Sequence, residues 1–87
     1  MKSPKEKVCE RVYLTFPKDL VKEPIVCWLA KKFDIIFNIR GSTVTSEMGL
    51  VAIEIDGERG EVEKALRWLR DKGVIVEPIE KIGRAHV

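Results

Sequence analysis

One carboxamide side chain stands out among the groups in this chain that could do chemistry. Asn38 is the only Asn among the 87 residues, no Gln accompanies it, and it interrupts the apolar run Ile35-Ile36-Phe37-Asn38-Ile39. A run of this composition predicts a strand, in which an amide disfavours simple burial and needs a hydrogen-bond partner. That partner is either structural or a bound ligand, so Asn38 is a candidate binding residue.

The remaining candidates do not combine into a catalytic set. The only His is His86, close to the C-terminal end, and neither Cys9 nor Cys27 has a His nearby in the sequence to activate its thiol. The two cysteines are too few and too irregularly spaced for a metal site or an iron–sulfur cluster. Because a Walker-type phosphate loop is also missing, the sequence predicts a binding role, no enzyme activity and no cofactor.

The composition favours a single globular domain. A chain of 87 residues leaves no room for a second packed core, and 45% hydrophobic with 34% charged residues are typical of a soluble fold. No stretch approaches the ~20 apolar residues of a membrane span, so we expect no direct membrane insertion. The 16 basic and 14 acidic residues nearly cancel to a net charge of +2, which leaves little field to attract nucleic acid.

The N-terminal residues predict the location of the protein. Residues 1–7 are basic and lack the apolar stretch and cleavage site of a signal peptide, so we expect a cytoplasmic protein with reduced cysteines. Abundant Lys, Arg and Glu with almost no amide side chains resemble a thermophile surface. We expect residues 1–8 to be a flexible basic segment, residues 9–80 to form the domain, and residues 81–87 to be a tail.

Hydrophobic periodicity and turn residues predict the secondary structure. The predicted elements are a strand over 10–16, a helix over 20–33, strands over 35–45 and 49–55 joined as a hairpin through 46–48, a helix over 58–72, and a strand over 74–79. Pro24 fits only the first turn of the first helix, where its missing N–H would be unpaired anyway. Gly73 is a natural stop for the second helix.

This order of elements is the α+β ferredoxin-like βαββαβ arrangement. Right-handed crossovers place both helices on one face of a four-stranded antiparallel sheet and leave the other face bare. Alternation divides the strand residues between the two faces. The residues predicted to point towards the helices are Val12, Leu14, Phe16, Ile35, Phe37, Ile39, Val51, Ile53 and Ile55. Those predicted to point away are Tyr13, Thr15, Ile36, Asn38, Leu50, Ala52 and Ile75. Several outward residues are apolar, so we expect a homodimer through this face or a strand edge.

Single-stranded RNA binding is an alternative use of the same fold. It requires two or three stacking aromatic residues with basic neighbours on the bare sheet face. Tyr13 is the only good candidate, because Trp28 and Trp68 fall on predicted helices as core or helix-shoulder residues. Nucleic acid is therefore not an expected partner.

A series of short motifs runs along the chain. The motifs are Leu14-Thr15-Phe16-Pro17, Lys22-Glu23-Pro24-Ile25, Asn38-Ile39, Gly49, the strand end from Glu54 to Gly57, Ala65-Leu66 with Trp68-Leu69, and Gly73-Val74 before a Val-Glu-Pro ending. In their order and spacing, over roughly residues 9–80, they resemble the NIL domain.

The resemblance implies both a fold and a function. The family has a ferredoxin-like fold related to the ACT domains that sense amino acids. It is best known as the C-terminal regulatory domain of methionine-importer ATPases, where it pairs with its copy and binds methionine to inhibit transport. It also occurs fused to ferredoxin modules and as a free-standing unit. This chain has neither ATPase motifs nor the cysteine series of a cluster, so it resembles the free-standing form or an excised fragment.

The resemblance also points to a ligand site in the second strand. The family is named after an Asn-Ile-Leu tripeptide, and the corresponding residues here are Asn38-Ile39-Arg40, so Arg replaces Leu. The expected ligand-binding residues for a methionine-like amino acid at the homodimer interface are Asn38, Ile39, Ile36, Arg40, Met48 and Leu50. A fixed cation at Arg40 could favour a different or more acidic ligand. Alternatively, Asn38 only caps a bulge or pairs with its copy.

A second hypothesis comes from a different functional class. The domain would be a protein-interaction subunit that assists sulfur or redox metabolism beside a ferredoxin-type partner and binds no free amino acid. Under the first hypothesis, the expected partners are a second copy of the chain, the amino-acid ligand and a transporter ATPase.

Overall fold

The computed structural model describes residues 5–79, which form a four-stranded antiparallel sheet with helices on one face. The elements are β1 (Lys7–Pro17), α1 (Lys18–Val21), α2 (Ile25–Lys32), β2 (Ile36–Val44), β3 (Met48–Glu58), α3 (Arg59–Lys72) and β4 (Ile75–Pro78). The strand order is β2-β3-β1-β4. The predicted ferredoxin-like fold is therefore confirmed. The predicted tail, residues 81–87, lies outside the described residues.

Strand β1 begins earlier than the sequence predicts. It starts at Lys7, inside the segment that we expected to be flexible, and Lys7 pairs with Glu58 at the far end of β3. The backbone N–H of Arg59 donates to the carbonyl of Glu6 over 2.7 Å, and its guanidinium lies 3.2 Å from the Glu6 carboxylate. These contacts tie the start of β1 to the start of α3.

The first helical segment is broken, whereas the sequence analysis predicted one continuous helix over 20–33. Helix α1 ends at Val21, and α2 begins at Ile25 with Pro24 as its N-cap residue. Proline disfavours helical geometry in the residue before it, so the chain cannot run helically through Glu23. Pro24 thus lies just before the first turn of α2 rather than inside a longer helix.

One core holds the sheet and the helices together. Its buried side chains are Val12, Leu14, Phe16, Val51, Ile53 and Ile55 from the sheet, Ile25, Leu29, Val62, Ala65 and Leu69 from the helices, and Val74. Alternate residues of β1 and β3 face the helices, as the period-2 pattern predicts. No polar or charged side chain is buried among residues 5–79. None of the helices in this range is long and apolar enough to cross a membrane.

Strand β2 is less well covered than the pattern suggested. Ile35 and Phe37 are only partly buried, and Ile39 is 51% exposed although it pairs with the fully buried Ile53. The reason is topological, since β2 is an edge strand and the helices pack over β1, β3 and β4. Alternation predicts which face a residue occupies, but not whether another element covers it.

An aromatic cluster joins the two longer helices. The rings of Phe33 and Trp68 meet edge to face, with centroids 5.9 Å apart. The ammonium of Lys72 lies 5.5 Å from the Trp28 ring and 5.3 Å from the Trp68 ring, within the range of a cation–π contact. Both tryptophans are thus helix-shoulder residues that stabilise the α2–α3 contact.

The end of α3 gives a test of the fold. Gly73 adopts a left-handed conformation with φ of 104°, and a Cβ there would lie 3.4 Å from Leu20 Cδ1. Gly73→Ala should lower the free energy of unfolding by ~1 kcal/mol or more, because this backbone geometry strains an L side chain. Urea denaturation measures the change.

Gly41→Ala is the matched control, since a Cβ at Gly41 would meet nothing within 4 Å. Its free energy of unfolding should stay within about 0.5 kcal/mol of the wild-type value. Equal destabilisation by the two substitutions would contradict a specific role for the Gly73 conformation.

Candidate ligand-binding face

We call the sheet face opposite the helices the open face. It carries Asn38, the central residue of the predicted ligand site. Pairing between strands and alternation along them place the following residues on it: Cys9, Arg11, Tyr13 and Thr15 of β1, Leu50, Ala52, Glu54 and Asp56 of β3, Ile36, Asn38 and Thr43 of β2, and Ile75 and Glu77 of β4. No helix covers this face in the part of the chain that the structure describes. Its chemistry differs between its two ends.

An ion-pair cluster occupies the polar end of the open face. Arg11 Nε and Arg40 Nη1 each lie 3.0 Å from the same carboxylate oxygen, Oε2 of Glu54. Arg11 and Glu54 are directly opposed across β1 and β3. A single carboxylate on β3 therefore holds guanidinium groups from β1 and β2, the strands on either side of it.

A β-bulge lies at Arg40. The pairing of β2 with β3 shifts between Ile39 and Gly41, which leaves Arg40 without an opposing residue. A bulge adds one residue to one strand and so changes the faces of the residues after it. Without the bulge, alternation would still place Arg40 on the open face, opposite Ala52, but each residue after Arg40 would lie on the face opposite to the one observed.

Asn38 lies directly opposite Glu54, next to the two arginines. It is exposed, and within residues 5–79 its carboxamide makes no hydrogen bond to another group of the protein. Among the described residues, Asn38 therefore has no structural hydrogen-bond partner for its carboxamide in the same chain. Both the donor and the acceptor of this amide are available to a second molecule.

The other end of the open face is apolar. Tyr13, Leu50 and Ile75 are 42%, 41% and 50% exposed. A shallow hollow of about 230 Å³ lies beside them, lined by Tyr13, Gly41, Ser42, Thr43, Leu50 and Ala52. The pairing of Tyr13 with Ala52 and of Thr15 with Leu50 and Ile75 makes this apolar surface continuous across β3, β1 and β4.

The structure brings together only part of the predicted site. Ile36, Asn38 and Arg40 lie near one another at the polar end, whereas Leu50 lies at the apolar end. Met48 lies beyond Leu50, opposite Pro17 at the hairpin, while Ile36 lies opposite Asp56. Eight residues of β3 separate these positions, which is about 27 Å of strand.

Ile39 faces the helix side of the sheet, because it pairs with the core residue Ile53. The six predicted residues therefore cannot surround one small ligand within a single copy of the chain. Those that gather around one point are Ile36, Asn38 and Arg40. The sequence analysis did not include Arg11 and Glu54 among the site residues. The alternating patterns of β1 and β3 place both on the open face, and this could have identified them.

A separate apolar cavity lies on the helix side, where the chain breaks between α1 and α2. Its volume is about 190 Å³, and its lining consists of Phe16, Leu20, Val21, Glu23, Pro24, Ile25, Val26, Cys27, Val44, Gly49 and Val51. The sequence analysis did not predict it, because a continuous first helix would have closed this gap.

An acidic hollow of similar size lies at the opposite end of the sheet. Its lining is Lys7, Asp34, Ile35, Ile36, Asp56, Gly57, Glu58 and Glu61. The backbone N–H of Asp34 donates to Glu61 Oε2 over 3.0 Å, which occupies one of these carboxylates. Among residues 5–79, no group of three or more His, Cys, Asp or Glu side chains is arranged to hold a metal ion.

The thiol of Cys9 lies on the open face opposite Asp56. A hydrogen bond with the Asp56 carboxylate raises the pKa of Cys9, and desolvation and the nearby negative charges raise it further. Because the thiolate is the reactive form, this environment makes Cys9 a weaker nucleophile at neutral pH.

Comparison with known proteins assigns the family. The sequence profile of the NIL domain matches residues 10–78. The chain belongs to the NIL domain family. The bulge of β2 in this NIL domain falls on Arg40, the third residue of Asn38-Ile39-Arg40.

Several curated relatives are methionine import ATP-binding proteins. MetN 1 of Listeria innocua is 29% identical over 73 residues, which cover 79% of this chain and 22% of that protein. MetN 1 of Bacillus cereus is 33% identical over 72 residues, or 78% of this chain and 21% of that protein. MetN of Bacillus subtilis is 29% identical over 75 residues, or 82% and 22%.

This NIL domain spans about a fifth of the length of these relatives. No solved structure matches it significantly. The match to the relatives therefore concerns one domain of a larger ATP-binding protein.

The environment of Cys9 gives a testable prediction. Asp56→Asn should lower the pKa of the Cys9 thiol towards its ordinary value, because the substitution removes both a carboxylate acceptor and a negative charge. The midpoint in pH of iodoacetamide alkylation, measured in a Cys27→Ser background so that only Cys9 reacts, reports the pKa. Glu47→Gln in the β2–β3 hairpin is the control and should leave the midpoint unchanged. A midpoint that Asp56→Asn also leaves unchanged would rule out the Cys9–Asp56 interaction.

Proposed function

We propose that this NIL domain is a regulatory domain that binds an amino acid, methionine or a related sulfur amino acid, beside Asn38 at the interface of a homodimer. The observation that carries the proposal is the exposed carboxamide of Asn38, which has no hydrogen-bond partner among residues 5–79 and lies next to paired arginines on an uncovered sheet. An amino acid needs donors for its carboxylate and acceptors for its ammonium group. The amide of Asn38 offers both a donor and an acceptor, and Glu54, directly opposite on β3, offers a second acceptor.

A second copy of the chain is needed to complete such a site. Asn38 is exposed on the open face, and a small ligand binds well only where most of its surface is buried. The apolar end includes the exposed side chains of Tyr13, Leu50 and Ile75, and a monomer rarely leaves such a surface exposed to solvent. Pairing of two open faces around a twofold axis would bury this end and enclose ligands at the polar end.

The relatives support the choice of ligand and role. Their names describe methionine import and ATP binding. For this chain we infer a ligand of the methionine class and, as partner, the ATPase of a transporter, with the domain located in the cytoplasm. Ligand binding would stabilise one arrangement of the dimer and thereby change the behaviour of the partner. The domain itself acts by binding and not as an enzyme.

A protein-interaction role is the second candidate function. The observation that favours it is the shallowness of the hollow at the apolar end of the open face, lined by Tyr13, Leu50 and Ala52 among others. A ferredoxin-type partner could then cover the face without any free amino acid. RNA binding has less support, because Tyr13 is the one aromatic residue of the open face among residues 5–79 and Glu54, Asp56 and Glu77 lie around it.

Ligand binding is tested by thermal shift and calorimetry with L-methionine, L-homocysteine and the other amino acids. At least one of them should raise Tm, and Asn38→Ala should weaken its binding about 10-fold or more through the loss of two hydrogen bonds. Ser46→Ala in the β2–β3 hairpin is the control and should bind as the wild type does. If no amino acid shifts Tm of a verified folded dimer, while a ferredoxin-type protein co-purifies with the domain, the second candidate function replaces the first.

The proposed dimer gives a separate prediction. Ile75→Lys should weaken self-association about 10-fold or more, because the interface would have to desolvate an ammonium group. Val44→Lys is the matched control, since Val44 is 61% exposed but pairs with Gly49 on the helix side of the sheet. Light scattering after size-exclusion chromatography, over a range of concentrations, measures the dimer fraction. Equal weakening by both substitutions would place the interface elsewhere.

A further inference from the structure

Two arginines on the open face are held in place by a shielded carboxylate. The guanidinium groups of Arg11 and Arg40 both contact Oε2 of Glu54 over 3.0 Å. The arginine side chains are 64% and 57% exposed, whereas that of Glu54 is only 19% exposed. The carboxylate therefore lies beneath the two cations and fixes their positions while they face outwards.

This cluster has unused capacity for an anion. A guanidinium carries five N–H donors, and each arginine directs only one nitrogen at Glu54. Two positive charges share one negative charge, which leaves a local surplus of one positive charge. Arginine also recognises carboxylate, sulfonate and phosphate oxygens with paired donors.

Nearby acidic residues offset this charge over the open face as a whole. Asp56 lies two residues beyond Glu54 on β3, and Glu77 lies opposite Tyr13 on β4, so acidic groups flank the arginines on both sides. The open face is therefore not a general surface for polyanions. Free guanidinium N–H donors are instead available at one point, beside Asn38, which is directly opposite Glu54.

We propose that Arg11 and Arg40 form an anion subsite beside Asn38, so that this domain selects an amino acid whose side chain ends in an anion over methionine. The inference rests on the proposed function, because it assumes that an amino acid binds at Asn38. A neutral thioether at this place would meet the exposed guanidinium of Arg40 and offer it only a weak acceptor. A sulfonate or carboxylate on a side chain of the same length would form charge-assisted hydrogen bonds with the two arginines.

Ligands matched in length to methionine test the proposal. L-homocysteate carries a sulfonate, L-glutamate a carboxylate and L-methionine sulfone a polar but neutral group in the place of the methionine thioether. Isothermal titration calorimetry with the full chain should show that L-homocysteate and L-glutamate bind about 10-fold or more tightly than L-methionine and its sulfone. Their affinities should fall as salt is added.

Substitutions assign the preference to the two arginines. Arg40→Leu, which removes one guanidinium of the pair, should weaken binding of the anionic ligands about 10-fold or more and reduce the preference over L-methionine. Arg11→Leu should act in the same direction. Arg67→Leu on the exposed side of α3 removes the same charge elsewhere and should change nothing. Circular dichroism and the dimer fraction verify that each variant is folded.

The outcomes separate this inference from the proposed function. Tighter binding of L-methionine than of the anionic ligands by the wild type overturns the subsite but leaves amino-acid binding intact. Gain of L-methionine binding by Arg40→Leu, with no anionic ligand bound by the wild type, also overturns it, because Arg40 would then only exclude methionine. If neither the wild type nor Arg40→Leu binds any of the four ligands, both the inference and the proposed function fail.

Discussion

The pairing of strands β1 and β3 is the constraint on which the rest of the molecule depends. These central strands pair residue by residue over Lys7–Pro17 and Met48–Glu58 without interruption. Because side chains alternate along a strand, this register sends one set of residues into the core and the other set to the open face. The core side is closed by α2 and α3. The same pairing that builds the core therefore creates a sheet surface that no described element covers.

The open face combines two surfaces with different physical roles. At one end, exposed Tyr13, Leu50 and Ile75 favour association because their apolar area is removed from water. At the other end, the two arginines that pair with Glu54 are each more than half exposed, so their ion pairs contribute little to folding stability. Under the proposed function, their main effect is to orient donors for another molecule. Stability and recognition would then be carried by opposite faces of one sheet, and substitutions on the recognition face would not damage the core.

This separation makes the two candidate functions physically related. A ligand at Asn38 and a partner over Tyr13 and Leu50 would use adjacent parts of the same surface. A ligand that binds only when a second copy covers it stabilises the dimer by its own binding free energy, and by the same linkage the dimer raises the affinity for the ligand. Regulation then needs no conformational change within the domain. The bulge at Arg40 is relevant here because it places Thr43, rather than Val44, on the open face beside the apolar end.

The sequence by itself determined the order of elements, the helix stop at Gly73 and the division of β1 and β3 into two faces, because backbone preferences and side-chain periodicity are local properties. Pro24 in the sequence also indicated the helix break before it, although the helical spacing of the surrounding apolar residues favoured one continuous helix. Only the tertiary structure decided that Ile39 would remain exposed, that Arg40 would pair with Glu54, and that the apolar positions predicted for the ligand would lie too far apart for one site. These outcomes depend on the register between strands and on which element covers which strand. Such contacts join residues distant in the chain, and no local pattern of the sequence specifies them.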